Sequence, residues 1–286
     1  MGSFHGKKLA VIMLCAAALL VAAGAARRTS AETAAPRTRD RIELRILTYN
    51  ICGLPETLTS DRELIPMKKR YEYFAKKFRG YDIIALQENF DRNREIIEKG
   101  LPNYYVARGT DTLGYAKLGS GLYTFSRWTV TGSFFLEWEG MRGYDARSHK
   151  GFLAATVKIS DGLSIDVYNL HAQAGGENRD VRLKGFDMMF EAMEYYSSGS
   201  GRPIILLGDF NCGKHYDEVM GLIAARGFIH VKPGLPKVDH IFFKPNGSGW
   251  KIEPLRAEKV FTERVGGLRF SDHEALETTL AVYRTD

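Results

Sequence analysis

The sequence predicts an α/β protein in which helices pack on β-sheet. Short apolar-rich runs recur between polar or Gly-rich loops, at spacings typical of antiparallel strands. Residues 61–79 place apolar side chains at steps of three and four, the pattern of an amphipathic helix. The run PIILLGDFN at 203–211 is almost wholly apolar, as in a strand buried on both faces.

Residues 1–31 are expected to be a secretory signal that is removed. Lys7 and Lys8 precede an apolar run of 18 residues, and small residues follow around Ala26 and Ala31. An uncleaved membrane anchor is the alternative, but the run is mostly alanine and barely reaches spanning length. We expect a disordered lead-in at 32–42, one domain at 43–286, and a secreted or periplasmic protein.

Removing the signal weakens the charge argument for a nucleic-acid partner. The whole chain has 40 Lys and Arg against 34 Asp and Glu, a net charge of +6. Four of the basic residues lie in the signal, which leaves 36 against 34, or +2. Outside the signal, Cys52 and Cys212 lack the spacing of a metal-thiolate site. Buried thiols are favoured over a disulfide, although export would permit one.

The domain is expected to begin with a strand, a helix, a strand and a second helix. ELRILTYN at 43–50 and DIIALQE at 82–88 are the strands, and NREIIEKGL at 93–101 is the second helix. The first helix, at 61–79, turns a stripe of apolar residues toward the core: Leu64, Met67, Tyr71, Phe74 and Phe78.

The rest of the domain alternates strand runs with two further helices, at 178–196 and 216–226. Trp128, Phe134, Phe135 and Trp138 fall in or beside one run, at a spacing that a buried strand with an alternating face would show, which favours a packed strand over a membrane-contacting patch. The predicted strands are SGLYTFS, TVTGSFFLE, FLAATVKIS, LSIDVYNLH, PIILLGDFN, VDHIFF, GWKIE, EKVF and ALETTLAVY.

Acid, amide and imidazole groups cluster at the ends of five of these runs and in the loop before the last one. Strands of a sheet core expose their ends together, so these side chains are expected to converge at one edge. Taken singly, each has an ordinary explanation in turn chemistry or solvation. The candidate site residues are Asn50, Glu88, His171, Asp209, Asn211, Asp239, Asp272 and His273.

These residue types suit a hard cation, since carboxylate and amide oxygens dominate and soft ligands are few. Mg²⁺ therefore fits better than Zn²⁺. Such an ion can neutralise phosphate charge, while histidines donate to phosphate oxygens or move protons. Asp272 directly precedes His273, which suggests an orienting carboxylate and a base if both lie in a loop.

Six motifs now point to a known group of proteins. In chain order they are LTYNICGLPE, DIIALQENFD, NLHAQAG, LLGDFNC, VDHIFF and SDHEAL. Together they resemble the endonuclease/exonuclease/phosphatase superfamily, the fold of pancreatic deoxyribonuclease, over about residues 43–284. The resemblance implies a four-layer α/β sandwich, with two mostly antiparallel sheets face to face and helices on the outer sides.

The resemblance also implies roles for individual residues. Glu88 and Asn50 would bind a catalytic Mg²⁺, with Mn²⁺ or Ca²⁺ as alternatives. Asp209 and Asn211 would position or activate the nucleophilic water, and His171 would contact the phosphate.

Proton transfer is assigned by the same resemblance. Asp272 and His273 would form the family's paired carboxylate and imidazole. Members of the family differ in their principal base, which would be His273 or Asp209 here, and we assign that role to His273. Asp239 would support the site through the metal or through His171.

Within the superfamily the sequence is most similar to secreted bacterial neutral-type sphingomyelinases. GLPE before an Arg-rich helix, QENFD, and DARSHKGFLAATVKI carry this similarity. It implies hydrolysis of sphingomyelin to ceramide and phosphocholine at a membrane surface, with Lys150 and His149 as substrate-binding residues. Two features depart from the pattern: 228–238 is too short for a long aromatic hairpin, and His149 replaces a usual Asn.

Two other functions stay open. A secreted nuclease of the same fold would need a basic groove, whereas the Lys and Arg residues here are dispersed along the chain. A non-catalytic phospholipid-binding protein would be favoured by loss of a ligand or of the last histidine, and neither is missing. No obligate protein partner is indicated, and we expect a monomer.

Overall fold

The computed structural model describes residues 41–55, 58–59, 61–110, 117–232 and 238–284. The predicted signal at 1–31 and most of the lead-in at 32–42 lie outside these residues, as does part of 228–238. Ile42 already belongs to the first strand, so the lead-in ends slightly earlier than expected.

Four α-helices and fourteen strands make up the regular structure of the described residues. The helices are α1 (Met67–Lys77), α2 (Arg94–Gly100), α3 (Arg179–Tyr196) and α4 (Tyr216–Ala225). The strands are β1 (Ile42–Asn50), β2 (Ile83–Gln87), β3 (Tyr105–Arg108), β4 (Tyr123–Ser126), β5 (Thr129–Glu137), β6 (Gly151–Ser160), β7 (Leu163–His171), β8 (Ile204–Asp209), β9 (Ile229–His230), β10 (Asp239–Lys244), β11 (Trp250–Val260), β12 (Arg264–Val265), β13 (Leu268–Arg269) and β14 (Ala275–Arg284).

Two six-stranded sheets dominate the structure, in the orders β11-β14-β1-β2-β4-β3 and β5-β6-β7-β8-β10-β9. Each contains one parallel pair, β1 with β2 and β7 with β8, and is otherwise antiparallel. A parallel pair needs a crossover connection, which α1 supplies in the first sheet and α3 in the second. The two parallel pairs lie at the middle of their sheets.

The core is organised in layers. Aliphatic side chains of both sheets, such as Ile46 and Leu207, form a shared cluster between them. The other face of the first sheet packs against α1 and α2 through residues such as Phe74 and Ile97. The other face of the second sheet packs against α3 and α4. The predicted four-layer α/β sandwich is therefore confirmed.

Some boundaries differ from those expected. The first helix begins at Met67 rather than Asp61, because Pro66 disfavours helical geometry at Ile65 and stands at the N-cap with extended geometry. GWKIE and EKVF form one strand, β11, whose register shifts at Pro254. None of the helices in the described segments is long and apolar enough to cross a membrane.

The aromatic residues around β5 lie in the packed interior. Trp138 is buried, and Trp128, Phe134 and Phe135 pack against buried apolar clusters. The expectation of a packed strand rather than a membrane-contacting patch is confirmed. Cys52 and Cys212 are both buried, as favoured for these thiols.

His230 is expected to make stability depend on pH. Its ring stacks on Phe242, with 4.4 Å between centroids, and burial lowers the pKa of His230 from 6.5 to about 4. The unfolded chain therefore binds a proton more readily, and stability is lost as pH falls from about 6.5 to 4. Between these pH values we expect His230→Phe to lose about 2 kcal/mol less stability than the parent protein, because phenylalanine does not titrate. This figure is discounted because the His230 ring is half-buried. Urea unfolding at both pH values measures this, and an identical loss in the variant and the parent would contradict it.

Candidate active site

The central strands of both sheets bring the candidate residues together. In the second sheet β8 lies between β7 and β10, so His171 stands opposite Asp209 and Asp209 opposite Asp239. In the first sheet Asn50 ends β1 and Glu88 follows β2. The side-chain nitrogen of Asn50 lies 3.1 Å from both Glu88 Oε1 and Asp209 Oδ2. One amide thus joins the ends of the two sheets.

Strained backbone marks the same strand ends. Cys52, Glu88 and Asn211 have φ angles of 49°, 55° and 47°, in the left-handed region that non-glycine residues rarely adopt. Gly53 donates its N–H to the Glu88 carbonyl at 3.0 Å, and a Cβ at position 53 would lie 2.4 Å from that oxygen. Only glycine allows this close approach. Backbone strain of this kind concentrates at functional sites.

The partner of His273 is Asp239 rather than Asp272. Nδ1 of His273 lies 2.7 Å from Asp239 Oδ2, and Nε2 faces Asp209 Oδ2 at 3.8 Å. Asp272 is exposed, because adjacent side chains point in different directions. The expected pairing of Asp272 with His273 was therefore wrong. Asp239 contacts the ring of His273 rather than His171, and its expected support through the metal stays a prediction.

Ser271 ties the loop that carries His273 to the first sheet. Its hydroxyl donates to the Asn50 carbonyl at 2.7 Å and accepts the His273 N–H at 3.1 Å. The loop position of His273, ahead of β14, is therefore fixed relative to Asn50. Ser271 was not among the predicted site residues, although it directly precedes the Asp-His pair.

His171 is a buried, neutral imidazole. Its Nε2 lies 3.3 Å from Asp209 Oδ2 and 3.8 Å from Glu88 Oε1. Burial, with the positive charges of Lys150 and His273, lowers the pKa of His171 well below 6.5. A neutral ring with its proton on Nε2 can donate to an oxygen held between these carboxylates.

The acidic groups are poorly compensated within the chain itself. Burial raises the pKa of Glu88, and burial together with the charge of Asp239 raises the pKa of Asp209. For His273, burial opposes protonation, but the charge and hydrogen bond of Asp239 and the charge of Asp209 raise the pKa to about 11. Excess negative charge in a buried site is the condition that a bound cation relieves.

The two predicted substrate-binding residues, Lys150 and His149, make different contacts. Lys150 is buried, forms a 2.6 Å ion pair with Asp145, and is close enough to shift the pKa values of Glu88 and His171. His149 instead contacts Glu137, with its Nδ1 2.7 Å from the carboxylate. The charge of Lys150 therefore acts on the candidate site while its ammonium is paired with Asp145, whereas the contact made by His149 is with Glu137.

Asp145 and Asn211 contact the backbone of the loop that follows His171. Asp145 Oδ2 accepts the Ala174 N–H at 2.6 Å, so it joins Lys150 to the loop that follows His171. Asn211 donates its N–H to Asp209 Oδ1 at 2.9 Å and its side-chain amide to the Ala172 carbonyl at 3.1 Å. Asp145 was not predicted from the sequence, because nothing in a loop sequence shows which distant backbone a side chain will contact.

The donor set fits a hard divalent cation. Glu88 and Asp209 share a neutral amide as hydrogen-bond donor, and Asp239 Oδ1 is buried without a hydrogen-bond partner. Asp239, Asp209 and His273 also place ligand atoms within 4.8 Å of one another. Asn50 turns its nitrogen toward the carboxylates and its oxygen toward the Cys52 N–H, so the expected use of that oxygen as a ligand does not match this geometry. Glu88 borders this group of ligand atoms, since Asn50 joins it to Asp209.

Comparison with known proteins finds relatives by sequence and by structure. A sphingomyelinase of Mycobacterium tuberculosis strain H37Rv is 26% identical over 181 residues, which is 62% of this chain. The alignment spans 36% of the length of that relative. Sphingomyelinase C from Streptomyces griseocarneus superposes with a TM-score of 0.61 at 18% identity, covering 85% of this chain and 100% of that one.

A solved structure that contains magnesium ions is also similar to this chain. A double mutant of beta toxin from Staphylococcus aureus with bound magnesium ions superposes with a TM-score of 0.62 at 14% identity, covering 85% of this chain and 100% of that one. At such identities these structures show the shared fold. Residues 47–273 match the Endonuclease/Exonuclease/phosphatase family, a segment that includes the end of β1, all of β2, β7 and β8, and all of the candidate site residues. The chain therefore belongs to the Endonuclease/Exonuclease/phosphatase family.

Proposed function

We propose that this protein is an exported, Mg²⁺-dependent phosphodiesterase that hydrolyses sphingomyelin to ceramide and phosphocholine. The observation that carries the phosphodiesterase proposal is the Glu88–Asn50–Asp209 bridge between the two sheets, on which the positive charge of buried Lys150 acts. Family membership and the likeness to a sphingomyelinase support the choice of substrate.

The chain's own groups suit the binding of a phosphodiester. The Lys150 ammonium and the Nε2–H of His171 act on the same carboxylates, so both can donate to non-bridging phosphate oxygens. Glu88 would hold Mg²⁺, which neutralises phosphate charge and stabilises the charge of the transition state. Asp209 and Asn211 would position the attacking water.

Proton transfer is assigned to His273. Since Nδ1 faces the Asp239 carboxylate, Nε2 is the nitrogen that faces the site. Without a bound cation, the nearby carboxylates keep the His273 ring protonated near neutral pH. The positive charge of a bound cation would oppose this protonation. With the ring neutral, Nε2 takes the proton of the water as it attacks.

A side-by-side assay tests the substrate. Purified chain lacking residues 1–31 is incubated with sphingomyelin liposomes, phosphatidylcholine liposomes and plasmid DNA, each with Mg²⁺ and with chelator. We expect phosphocholine release from sphingomyelin that requires Mg²⁺. Lys150→Met should weaken it, because the buried positive charge that acts on Glu88 and His171 is lost.

Other outcomes separate the remaining functions. Nicking of DNA without lipid turnover would overturn the lipid assignment and indicate a nuclease of the same family. Release from both lipids alike would show a phospholipid-head-group activity without preference for sphingomyelin. No turnover of any substrate, with binding to either liposome, would indicate a non-catalytic lipid-binding protein.

A further inference from the structure

The site is built by two matching units of chain. β1–α1–β2 and β7–α3–β8 each consist of two parallel strands joined by a helix. In each unit, one candidate residue ends the first strand and another lies at the end of the second. The first unit supplies Asn50 and Glu88, and the second supplies His171 and Asp209.

Each unit has a buried arginine at the same position in its helix. Arg70 is the fourth residue of α1 and is 1% exposed. It donates to the carbonyls of Ile51 at 2.9 Å and Cys52 at 3.2 Å, directly after Asn50. It also donates to the Phe270 carbonyl at 2.9 Å, directly before the loop of His273.

Arg182 is the fourth residue of α3 and is 2% exposed. It donates to the carbonyls of Gln173 at 2.6 Å and Gly175 at 3.1 Å, in the loop that follows His171. Its second nitrogen lies 3.3 Å from His215 Nδ1, in the segment that follows β8. Each arginine therefore fastens the loop after the first strand of its own unit, and reaches a second segment near the site.

Packing alone does not explain these side chains. Within the described residues neither guanidinium forms an ion pair, and burying a charge without a carboxylate partner is costly. A methionine or leucine would fill such a helix position at lower cost. What the guanidinium adds is several donors in a fixed plane, which can hold two or three carbonyls at once.

We propose that Arg70 and Arg182 are matched positioning residues, each of which fixes the loop that sets one half of the site. Arg70 acts on the Asn50 end and on the His273 loop, and Arg182 acts on the His171 end. The catalytic consequence rests on the proposed phosphodiesterase function, whereas the positioning itself does not.

Lysine substitutions test the proposal, because lysine keeps the charge but cannot span the same carbonyls. In Arg70→Lys we expect faster amide hydrogen exchange at 51–54 and unchanged exchange at 173–176. In Arg182→Lys we expect faster exchange at 173–176 and unchanged exchange at 51–54. On the substrate found in the liposome and DNA assay, kcat should fall ~10–100-fold with KM within about twofold, as for loss of residues that orient reacting groups.

Arg202→Lys is the matched control. Arg202 donates to Asp166 Oδ1 at 2.8 Å and to the Tyr196 carbonyl at 3.1 Å, at the opposite end of β7 and β8 from the site. This variant should lose thermal stability and keep kcat. If Arg70→Lys does not fold, Arg70→Gln replaces it.

The outcomes separate positioning from general stability. Unchanged exchange at 51–54 and 173–176 would overturn the proposal even if no substrate is found. Unchanged kcat in folded Arg70 and Arg182 variants that lose as much stability as Arg202→Lys would show a merely structural role and overturn it as well. Failure of every Arg70 and Arg182 variant to fold would do the same.

Discussion

His273→Ala should lower kcat by ~10²–10⁴, the range that a positioned acid or base contributes. The ring is held by Asp239 at 2.7 Å, and its free face points toward Asp209. Alanine removes the group that moves the proton and leaves the carboxylates in place. Turnover of the substrate identified by the liposome and DNA assay, at saturating Mg²⁺, measures the effect.

Asp239→Asn refines that prediction. Asparagine keeps the shape but removes the charge that sustains the His273 pKa, so kcat should fall less than in His273→Ala while its pH dependence shifts. His230→Phe serves as the histidine control and should leave kcat unchanged, because its ring packs on Phe242 outside the site. Full activity of His273→Ala would remove this residue from the chemistry.

Glu88→Gln should abolish Mg²⁺ binding and lower kcat by about 10³, since a metal ion supplies several kcal/mol of transition-state stabilisation. Stability should change in the opposite direction. Ionised Glu88 lies half-buried beside Asp209 with the Asn50 amide between them, so a neutral glutamine relieves repulsion when no metal is bound. Calorimetric titration with Mg²⁺ and thermal unfolding without it measure the two effects.

Glu277→Gln is the matched control for a buried carboxylate outside the site. Glu277 accepts hydrogen bonds from Arg45 at 2.7 Å and Tyr81 at 2.6 Å. Here the charge is compensated, so the variant should lose stability and keep Mg²⁺ binding and activity. If Glu88→Gln lost stability as Glu277→Gln does, Glu88 would be a structural residue rather than a metal ligand.

Much of this site followed from the sequence because strand ends can be read from patterns. The runs that end in Asn50, Glu88, His171 and Asp209 are apolar and short, and a sheet core places such ends at one edge. The four layers followed from the family resemblance together with those runs. The short strand β3 was missed, because four residues with two exposed side chains show no clear period.

The pairings inside the site could not be read in the same way. Asp272 is adjacent to His273 in sequence, but the carboxylate that reaches the ring is Asp239, from a strand of the other sheet. Arg70 and Arg182 belong to helices whose charged residues resemble a solvated face, yet both are buried. Long-range contacts of this kind depend on how the layers stack, which local periodicity does not encode.

The position of the metal tests the central claim most directly. Crystals of the protein soaked in Mn²⁺ can be measured for anomalous scattering, which locates the ion without reference to any substrate. We expect a peak about 2.1 Å from a carboxylate oxygen of Glu88, at the junction of the two sheets. A peak only between Asp239 and His273, or none near Glu88, would contradict the account.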